Sequence, residues 1–416
     1  IDMENYLART GVSLTKLDEL SVIHVAGTKG KGSTSAMCEA ILRRHGFRTG
    51  FYSSPHLVAV RERIRLGGRV IAEDKFAHYF HQVYDMLDST QEFQGDMPKY
   101  FAFLTVLAYN VFLKEKVDVA IVEVGIGGIV DYTNVLRKVP VVGITALGLD
   151  HTSILGHTLP EIAAAKAGVM KPGCEAYTVH QPQEAMEVLE RSLAQRTDYY
   201  SYTFPNTLQT HLAVDLEAYE TNASLAIQLA HAWMRIVNQT HRNNEFKLQG
   251  LRACRWPGRY HVVQAEYAKF YLDGAHTKES MEICAQWFRD NNIIQDKILI
   301  FSATGDRNAE VLLQPLHGLG FKQVYFVIPT AHKHITQKND NYSTVEQDEL
   351  ITRCEKHLEI WKEFDTTAKL TVLECVSDAL INIKKSKMEG SSSVLVTGSL
   401  HLVGAALSIL DPNLST

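Results

Sequence analysis

The stretch Val22–Ser33 constrains the fold of this chain most strongly. It begins with an apolar, β-branched run, turns at Gly27, Gly30 and Gly32, and continues into a helical pattern that ends near Gly46. A strand, a glycine-rich turn and a helix in this order present backbone N–H groups to a bound phosphate. The stretch therefore predicts an α/β domain built around a phosphate-binding loop.

Lys31 lies in this turn, where a lysine reaches the terminal phosphates of a nucleotide. The spacing departs from the common G-x-x-x-x-G-K-[ST] loop, because only two residues separate Gly27 from Gly30. Gly32 also stands where a hydroxyl side chain usually binds Mg²⁺, and the amphipathic helix is predicted to open only at Ser33. The metal must therefore find its oxygen ligands elsewhere.

Three predicted strand ends carry side chains that bind hard cations. Ser54 follows a strand that ends at Tyr52, Glu123 lies near the end of an apolar strand, and His151 follows the next such strand. The carboxyl ends of parallel strands meet at one edge of a sheet, and a buried carboxylate is costly unless it is paired or metal-bound. Taken singly, Ser54 and His151 are typical of structural residues, so only the set predicts a Mg²⁺ site.

Two predicted α/β regions divide the chain. Residues 1–257 are predicted to form a nucleotide-binding domain with a P-loop and a parallel sheet, and residues 258–416 a smaller Rossmann-like domain with its own parallel sheet. The break falls at Pro257–Gly258, and a site is expected in the cleft between the domains. Within the first domain, polar and apolar residues alternate over Arg61–Ile71. This pattern predicts a hairpin that turns at Gly67–Gly68 and has its arginines on the solvated face. Thr158–Ala167 predicts a helix capped by Thr158.

A series of motifs runs in order along nearly the whole chain: Ala26–Thr34, Tyr52–Leu57, Val122–Gly128, Leu149–Thr152, Trp256–Arg259, Leu272–His276 and Val396–Gly404. Together they resemble the folylpolyglutamate synthase family, a branch of the Mur-type ATP-dependent amide ligases. The Thr28–Lys31 form of the loop is similar to the eukaryotic members.

This resemblance implies a set of site residues. The expected contacts to ATP come from Gly27, Thr28, Lys29, Gly30, Lys31, Gly32, Ser33, Asn222, Arg259 and Asp273. The expected Mg²⁺ ligands are Ser54, Glu123 and His151, and the resemblance admits a monovalent cation as well. Lys31, Lys166 and His276 are the expected catalytic residues, and the resemblance implies that Lys166 is carbamylated. His276 is a candidate for the contact with glutamate or the tetrahedral intermediate, with Ser399 and His401 in its neighbourhood, and buried structural roles stay open for these three residues.

The sequence differs from the family pattern at one motif. The family's Gly-x-His-Gln-x-x-Asn run, on the side of the nucleotide base, matches here only through Asn222, because Leu216, Ala218 and Tyr219 replace its other residues. The sequence therefore does not predict which residues of this region contact adenine.

The implied reaction is formation of a γ-linked amide. A reduced folate (tetrahydrofolate) carboxylate attacks the γ-phosphate of ATP to give an acyl phosphate, and the amine of L-glutamate then displaces phosphate. The loop Ser53–Val60 and the aromatic residues at Tyr100–Phe103 are topological candidates for the pterin. Three alternatives stay open: a dihydrofolate synthase or bifunctional enzyme, a peptidoglycan ligase of the Mur type, and a nucleotide-binding homologue that has lost catalysis.

The composition of the chain limits the classes of molecule that the protein is expected to bind. The net charge of −5 over 416 residues argues against a general nucleic-acid binder, and no apolar run reaches the length of a membrane span. Six scattered cysteines without metal-site spacing favour a reducing compartment. We expect a monomer of the cytoplasm or mitochondrion that acts in one-carbon metabolism on small molecules, with any targeting segment outside this sequence, which begins at Ile1.

Overall fold

The structure is a computed structural model that describes residues 3–194, 200–202, 217–238, 244–292, 296–303, 307–333, 346–386 and 392–414. The chain divides into two compact units. Unit 1 consists of Ile1–Pro55 and Arg61–Arg255, and unit 2 consists of His56–Val60 and Trp256–Thr416. The short segment His56–Val60 thus packs with the second unit although both of its flanking sequences belong to the first.

Unit 1 contains an eight-stranded sheet. Its strands are β1 (Val22–Ala26), β2 (Thr49–Tyr52), β3 (Ile64–Leu66), β4 (Arg69–Val70), β5 (Val119–Glu123), β6 (Val141–Ile144), β7 (Glu175–Thr178) and β8 (Tyr200–Tyr202). The strand order is β4-β3-β2-β5-β1-β6-β7-β8, parallel from β2 to β8, with β3 and β4 antiparallel at the edge. Because β1 lies between β5 and β6, the turn after β1 is flanked by the ends of both neighbours.

Ten helices of unit 1 are described. They are α1 (Met3–Arg9), α2 (Leu14–Leu17), α3 (Lys31–Arg44), α4 (Glu73–Ser89), α5 (Tyr100–Lys114), α6 (Thr152–Leu155), α7 (Leu159–Ala167), α8 (Gln183–Ala194), α9 (Glu217–Ile236) and α10 (Asn244–Ala253). Helix α3 packs against α9 and α10. The approach of α10 is close, because a Cβ at Gly250 would lie 2.8 Å from the Ile41 Cα.

The start of α3 corrects the sequence prediction. The helix begins at Lys31 with Gly30 as its N-cap, whereas the sequence predicted an opening at Ser33. The positive φ of 87° at Gly30 turns the backbone directly into the helix. Lys31 therefore occupies the first helical position, and the loop itself is shorter than predicted.

The hairpin prediction is confirmed at its turn and wrong at its start. Gly67 and Gly68 have positive φ values of 57° and 78° and join β3 to β4. Residues Val60–Arg63 form a 3₁₀ helix rather than a strand. The alternation of polar and apolar side chains that marks a strand therefore does not describe these residues. The solvated-face prediction also fails for Arg63, which is 8% exposed and has its guanidinium 5.5 Å from the ring centre of Tyr100.

Unit 2 contains the second sheet, which confirms the predicted parallel sheet near the C-terminus. Its elements are β9 (His261–Gln264), β10 (Ala268–Asp273), α11 (Lys278–Asp290), β11 (Lys297–Phe301), α12 (Ala309–Leu313), β12 (Phe321–Val327), α13 (Gln347–Phe364), β13 (Lys369–Leu373), α14 (Val376–Lys385), β14 (Ser392–Thr397) and α15 (Leu400–Leu410). The strand order is β13-β12-β11-β14-β10-β9, and only β9 is antiparallel to its neighbour.

Two further sequence expectations concern membrane spans and redox state. Among the described residues, no helix is long and apolar enough to cross a membrane. The six cysteines, Cys38, Cys174, Cys254, Cys284, Cys354 and Cys375, are all free thiols. The polar stretch at residues 329–348 lies largely outside the described residues.

Candidate active site

The glycine-rich turn between β1 and α3 leaves no room for side chains at two of its glycines. Gly27 has a φ of 147°, and a Cβ there would lie 1.8 Å from the Thr145 Oγ1. Gly30 has a positive φ, and a Cβ there would lie 2.2 Å from the Asn222 Oδ1. Only glycine fits either position, so the turn is fixed by its neighbours as well as by its own sequence.

The segment after β6 holds this turn in place. The N–H groups of Thr28 and Lys29 both donate to the Ala146 carbonyl at 3.0 Å, and the Thr28 hydroxyl donates to the Gly148 carbonyl at 3.1 Å. The first four N–H groups of a helix have no partner within the helix, and in α3 these belong to residues 30–33. The first turn of α3 is therefore the part of the loop best suited to an anion.

Two lysines converge on the turn. The Lys31 Nζ donates to the Thr28 carbonyl at 3.3 Å, and the Lys166 Nζ donates to the Gly27 carbonyl at 2.8 Å. The pKa of Lys166 is lowered to about 7, first by burial and second by the positive charge of Lys31, while Asp150 and Asp131 oppose this change. A neutral Lys166 amine is consequently accessible near neutral pH, which is unusual for a lysine.

Helix α7 brings Lys166 to the turn. Its start confirms the predicted cap, because the Glu161 N–H donates to the Thr158 Oγ1 while the Thr158 N–H donates to the Glu161 carboxylate at 3.0 Å. This capping box fixes where the helix begins, and hence which face carries Lys166. Gly128, in the loop after β5, packs against this helix, since a Cβ there would lie 2.6 Å from the Ala165 carbonyl oxygen.

Asn222 reaches the same turn from α9. Its Oδ1 accepts a hydrogen bond from the Thr34 hydroxyl at 3.3 Å and covers Gly30. Of the altered residues of this motif, Leu216 lies outside the described residues, while Ala218 and Tyr219 lie at the start of α9. Asn222 is thus adjacent to the loop although its surrounding motif has diverged.

The predicted metal ligands are brought together in part. The Ser54 N–H donates to the Glu123 Oε2 at 3.2 Å, and Glu123 is 4% exposed at the end of β5. His151 is exposed at the start of α6, with its Nε2 3.9 Å from the Asp150 Oδ2. The place of His151 in this metal site stays a prediction.

The donor chemistry of Ser54 and Glu123 fits Mg²⁺. A hydroxyl and a buried carboxylate offer the hard oxygen atoms that this ion prefers. Within the described part of the chain, no group of three or more His, Cys, Asp or Glu side chains could hold a metal ion. The predicted set contains only two such residues and a serine, and Mg²⁺ commonly keeps several waters and binds substrate phosphates besides.

Asp131 is a residue that the sequence reasoning missed. It is 7% exposed, accepts the Ile126 N–H at 2.8 Å, and accepts the Thr133 hydroxyl at 2.5 Å. The Thr133 Oγ1 lies 2.9 Å from the Nε2 of the buried His24 on β1. Asp131 thereby fixes the glycine-rich loop that follows Glu123, and its signal in the sequence was an acidic N-cap directly after that loop.

In unit 2, Asp273 organises the start of the domain. It is 5% exposed at the end of β10 and accepts the Tyr260 N–H at 2.9 Å. Burial raises the pKa of Asp273, while the positive charge of Arg259 and backbone N–H groups oppose that change. Arg259 lies over Gly274, where a Cβ would be 2.5 Å from its Nη1. The structure therefore brings Arg259 and Asp273 together.

His276 lies further along the same loop. Its Nδ1 donates to the Gly274 carbonyl at 2.7 Å, and its own carbonyl accepts from the Arg307 Nη1 at 3.0 Å. The sequence reasoning did not single out Arg307, although it follows the end of β11, a strand that pairs with β14. The same strand-end argument that was used in the first domain could have found it.

Ser399 and His401 lie at the start of α15. The adjacent strand β14 pairs with β10 so that Thr397 is level with Asp273. The Ser399 hydroxyl accepts the Leu402 N–H at 3.2 Å and caps the helix, while His401 is exposed. Ser399 thus has a structural role, as its buried position of 3% exposure suggests.

Comparison with known proteins finds matches to enzymes named for folate ligation. Residues 259–409 match the family model "Dihydrofolate synthetase, C-terminal domain". The chain is 36% identical to the mitochondrial folylpolyglutamate synthase of Cricetulus griseus, covering 99% of this chain and 86% of that protein. It is 39% identical to the putative folylpolyglutamate synthase of Caenorhabditis elegans, covering 97% and 85%.

A solved structure shares the fold. Folylpolyglutamate synthase of Mycobacterium tuberculosis, complexed with ADP, superposes with a TM-score of 0.79 at 24% identity and covers 97% of this chain and 94% of that one. At this identity the likeness concerns the fold alone, and it agrees with the α/β architecture predicted from the sequence. The extent of the sequence matches decides membership: the chain belongs to the folylpolyglutamate synthase family.

Proposed function

We propose that this protein is an ATP-dependent ligase that adds L-glutamate to a reduced folate through a γ-linked amide. One observation carries the proposal beyond family membership: Lys31, Lys166 and Asn222 contact a single glycine-rich turn from three different helices. Such convergence of cationic and polar groups at the start of a helix suits a nucleotide triphosphate. The complex of the M. tuberculosis synthase with ADP is consistent with this.

The first step is attack of the folate carboxylate on the γ-phosphate, which yields an acyl phosphate and ADP. Lys31 and the N–H groups of the first turn of α3 stabilise the negative charge on the transferred phosphoryl oxygens. Mg²⁺ bound by Ser54 and Glu123, with His151 as the further predicted ligand, would supply additional charge neutralisation. No nucleophilic side chain of the protein is required for this step.

In the second step the amine of L-glutamate attacks the acyl carbonyl, and phosphate leaves. We assign Arg259 and Asp273 to ATP, and His276 to the incoming glutamate or the tetrahedral intermediate. Arg307, whose guanidinium contacts the His276 carbonyl, is a further candidate for the carboxylates of glutamate because arginine binds carboxylates through paired N–H groups. Asp273 supports this group by holding the backbone of Tyr260 beside Arg259.

Lys166 is proposed to act as its carbamate. The lowered pKa supports this, since only a neutral amine reacts with CO₂, and the reaction releases one proton. The carbamate anion would replace a cationic ammonium beside Lys31 and add oxygen ligands for a cation, including the monovalent cation that remains part of the proposal.

Aromatic residues of unit 1 are proposed to contact the pterin. Tyr100 is 58% exposed, with its ring centre 5.5 Å from the guanidinium of Arg63, and Phe101 follows it at the start of α5. An exposed ring next to a cation suits a flat heteroaromatic ligand. The compartment, cytoplasmic or mitochondrial, and the monomeric state also stay predictions; the mammalian relatives carry the word mitochondrial in their names.

Substituting the loop lysine tests the proposed function. We expect Lys31→Ala to lower ATP-dependent incorporation of labelled glutamate into tetrahydrofolate about 100-fold or more, because the charge of Lys31 acts on the transferred phosphoryl group. Lys16→Ala, at an exposed lysine paired with Glu19, is the control and should retain wild-type turnover. Full turnover by Lys31→Ala, with unchanged circular dichroism, would reject the proposed phosphate site.

A dihydrofolate synthase or bifunctional activity is the second candidate. The match of residues 259–409 to a dihydrofolate synthetase domain favours it. The same assay run with dihydropteroate in place of tetrahydrofolate separates the candidates. Product with tetrahydrofolate alone supports the first, product with both supports a bifunctional enzyme, and product with neither points to a homologue that has lost catalysis.

A further inference from the structure

The segment that follows Ser54 is buried in unit 2. After Ser54 and the exposed Pro55, the chain enters unit 2, where His56, Leu57 and Val58 are all buried. Leu57 and Val58 belong to the hydrophobic core cluster that also contains residues of β10, β11, β14 and α15. This segment is therefore part of the core of unit 2 rather than a surface loop.

Two glycines of unit 2 provide the space for Leu57. A Cβ at Gly404 on α15 would lie 2.0 Å from the Leu57 carbonyl oxygen. A Cβ at Gly258 would lie 3.1 Å from both Leu57 Cδ atoms and 3.3 Å from Val403. The backbone and the side chain of Leu57 are thus both held by close contacts, and any side chain at residue 404 would have to displace that backbone.

Ser54 is held from its other side within unit 1. Its N–H donates to the Glu123 Oε2, and the preceding Ser53 N–H donates to the Arg63 carbonyl at 3.1 Å. The connection from Ser54 to Leu57 spans at most about 10 Å of extended chain. A displacement at Leu57 is consequently transmitted to Ser54, because so short a connection has little slack.

We propose that Leu57 and Gly404 are positioning residues for the metal site, acting through the backbone of Ser54. Leu57 fixes the chain downstream of Ser54, and Gly404 makes the space that Leu57 occupies. This inference rests on the proposed function, because it takes Ser54 to be a Mg²⁺ ligand. It predicts that metal affinity depends on packing inside unit 2.

The test measures Mn²⁺ binding directly, in place of turnover. Binding of Mn²⁺ to the whole protein with the non-hydrolysable analogue AMPPCP is followed by electron paramagnetic resonance. We expect Leu57→Ala to weaken Mn²⁺ binding about tenfold, the loss typical when support of a metal ligand is removed. Leu380→Ala is the matched control, because Leu380 lies in the same core cluster with 5% exposure against 7% for Leu57. It should bind Mn²⁺ as the wild type does.

Further variants separate the possible outcomes. Gly404→Ala should weaken Mn²⁺ binding as Leu57→Ala does, and Leu57→Met, which retains the buried volume, should restore it. If Ser54→Ala weakens binding while Leu57→Ala and Gly404→Ala, both folded, bind as tightly as Leu380→Ala, the inference is wrong and the metal assignment survives. If Ser54→Ala also binds Mn²⁺ normally, the assignment of Ser54 in the proposed function fails, and the inference fails with it.

Discussion

At the scale of single residues, the site depends on groups whose properties come from their surroundings. Lys166 is an ordinary helical lysine in sequence, and a solvated side chain would be the usual expectation for it. In the structure it is 4% exposed, donates to the Gly27 carbonyl and has a pKa lowered to about 7. At pH 7 about half of such amines are neutral, against well below one in a thousand for a free lysine.

Carbamylation of Lys166 can be observed directly. We expect protein equilibrated with ¹³C-bicarbonate at pH 8 to show a carbamate ¹³C resonance, because a group with a pKa of about 7 is mostly neutral there. Lys166→Met should lack this resonance. Lys16→Met, at an exposed lysine paired with Glu19, serves as the control, and its spectrum should retain the signal. A spectrum identical in the wild type and Lys166→Met would contradict the assignment.

At the scale of elements, helix starts set the geometry of the site. The sequence identified the Thr158 cap correctly, because a capping box is a local pattern of hydrogen bonds that sequence spacing reveals. It placed the start of α3 too late, because the conformation of Gly30 depends on Asn222 and on the loop around it. The sequence therefore predicts a cap such as Thr158, whose partners lie within the same helix. It does not predict the Gly30 cap, whose neighbour Asn222 lies on another helix.

Removing the α7 cap should affect nucleotide binding as well as stability. We expect Thr158→Ala to lower the free energy of unfolding by about 1 kcal/mol, and to weaken ATP binding because Lys166 at the other end of α7 loses its fixed position. Ser13→Ala removes a comparable cap from α2, where the Ser13 Oγ accepts the Lys16 N–H at 3.1 Å. Urea denaturation and isothermal titration of ATP measure both effects. Equal ATP affinity in the two variants would refute this role of α7.

At the scale of the whole molecule, each unit contains a buried histidine whose pKa is lowered well below its ordinary value. His24 in unit 1 is fully buried on β1, and burial lowers its pKa to about 3. His357 in unit 2 packs 5.4 Å from the ring of Phe301, and burial together with the charge of Arg353 lowers its pKa to about 4. Both side chains are neutral in the folded protein, whereas an unfolded histidine takes up a proton below its ordinary pKa of 6.5.

Acid should therefore destabilise unit 2 through His357. As the pH falls from 6.5 towards about 4 the unfolded chain binds the extra proton, so stability that is complete above pH 6.5 is lost. Between pH 7 and pH 5 the expected loss is about 2 kcal/mol. Hydrogen exchange of α13 amides, corrected for intrinsic rates, should show this loss in the wild type and in His332→Leu, at an exposed histidine. His357→Leu should show a smaller loss; an equal loss would refute the assignment.

The sequence by itself determined many of the strands, turns and helix caps of the first unit. Apolar strands such as β5, the glycines of the turn and the cap of α7 are local patterns, and local patterns can be read because the backbone and neighbouring side chains enforce them. The family motifs likewise identified Lys31 and Asn222, and the structure brings both to the glycine-rich turn.

Only the tertiary structure decided which distant residues share a site and which unit a segment joins. The burial of Lys166 beside Gly27 and the packing of Leu57 into the second unit depend on contacts between residues far apart in sequence. Desolvation and close packing act through space rather than along the chain, so no spacing within the sequence reveals them.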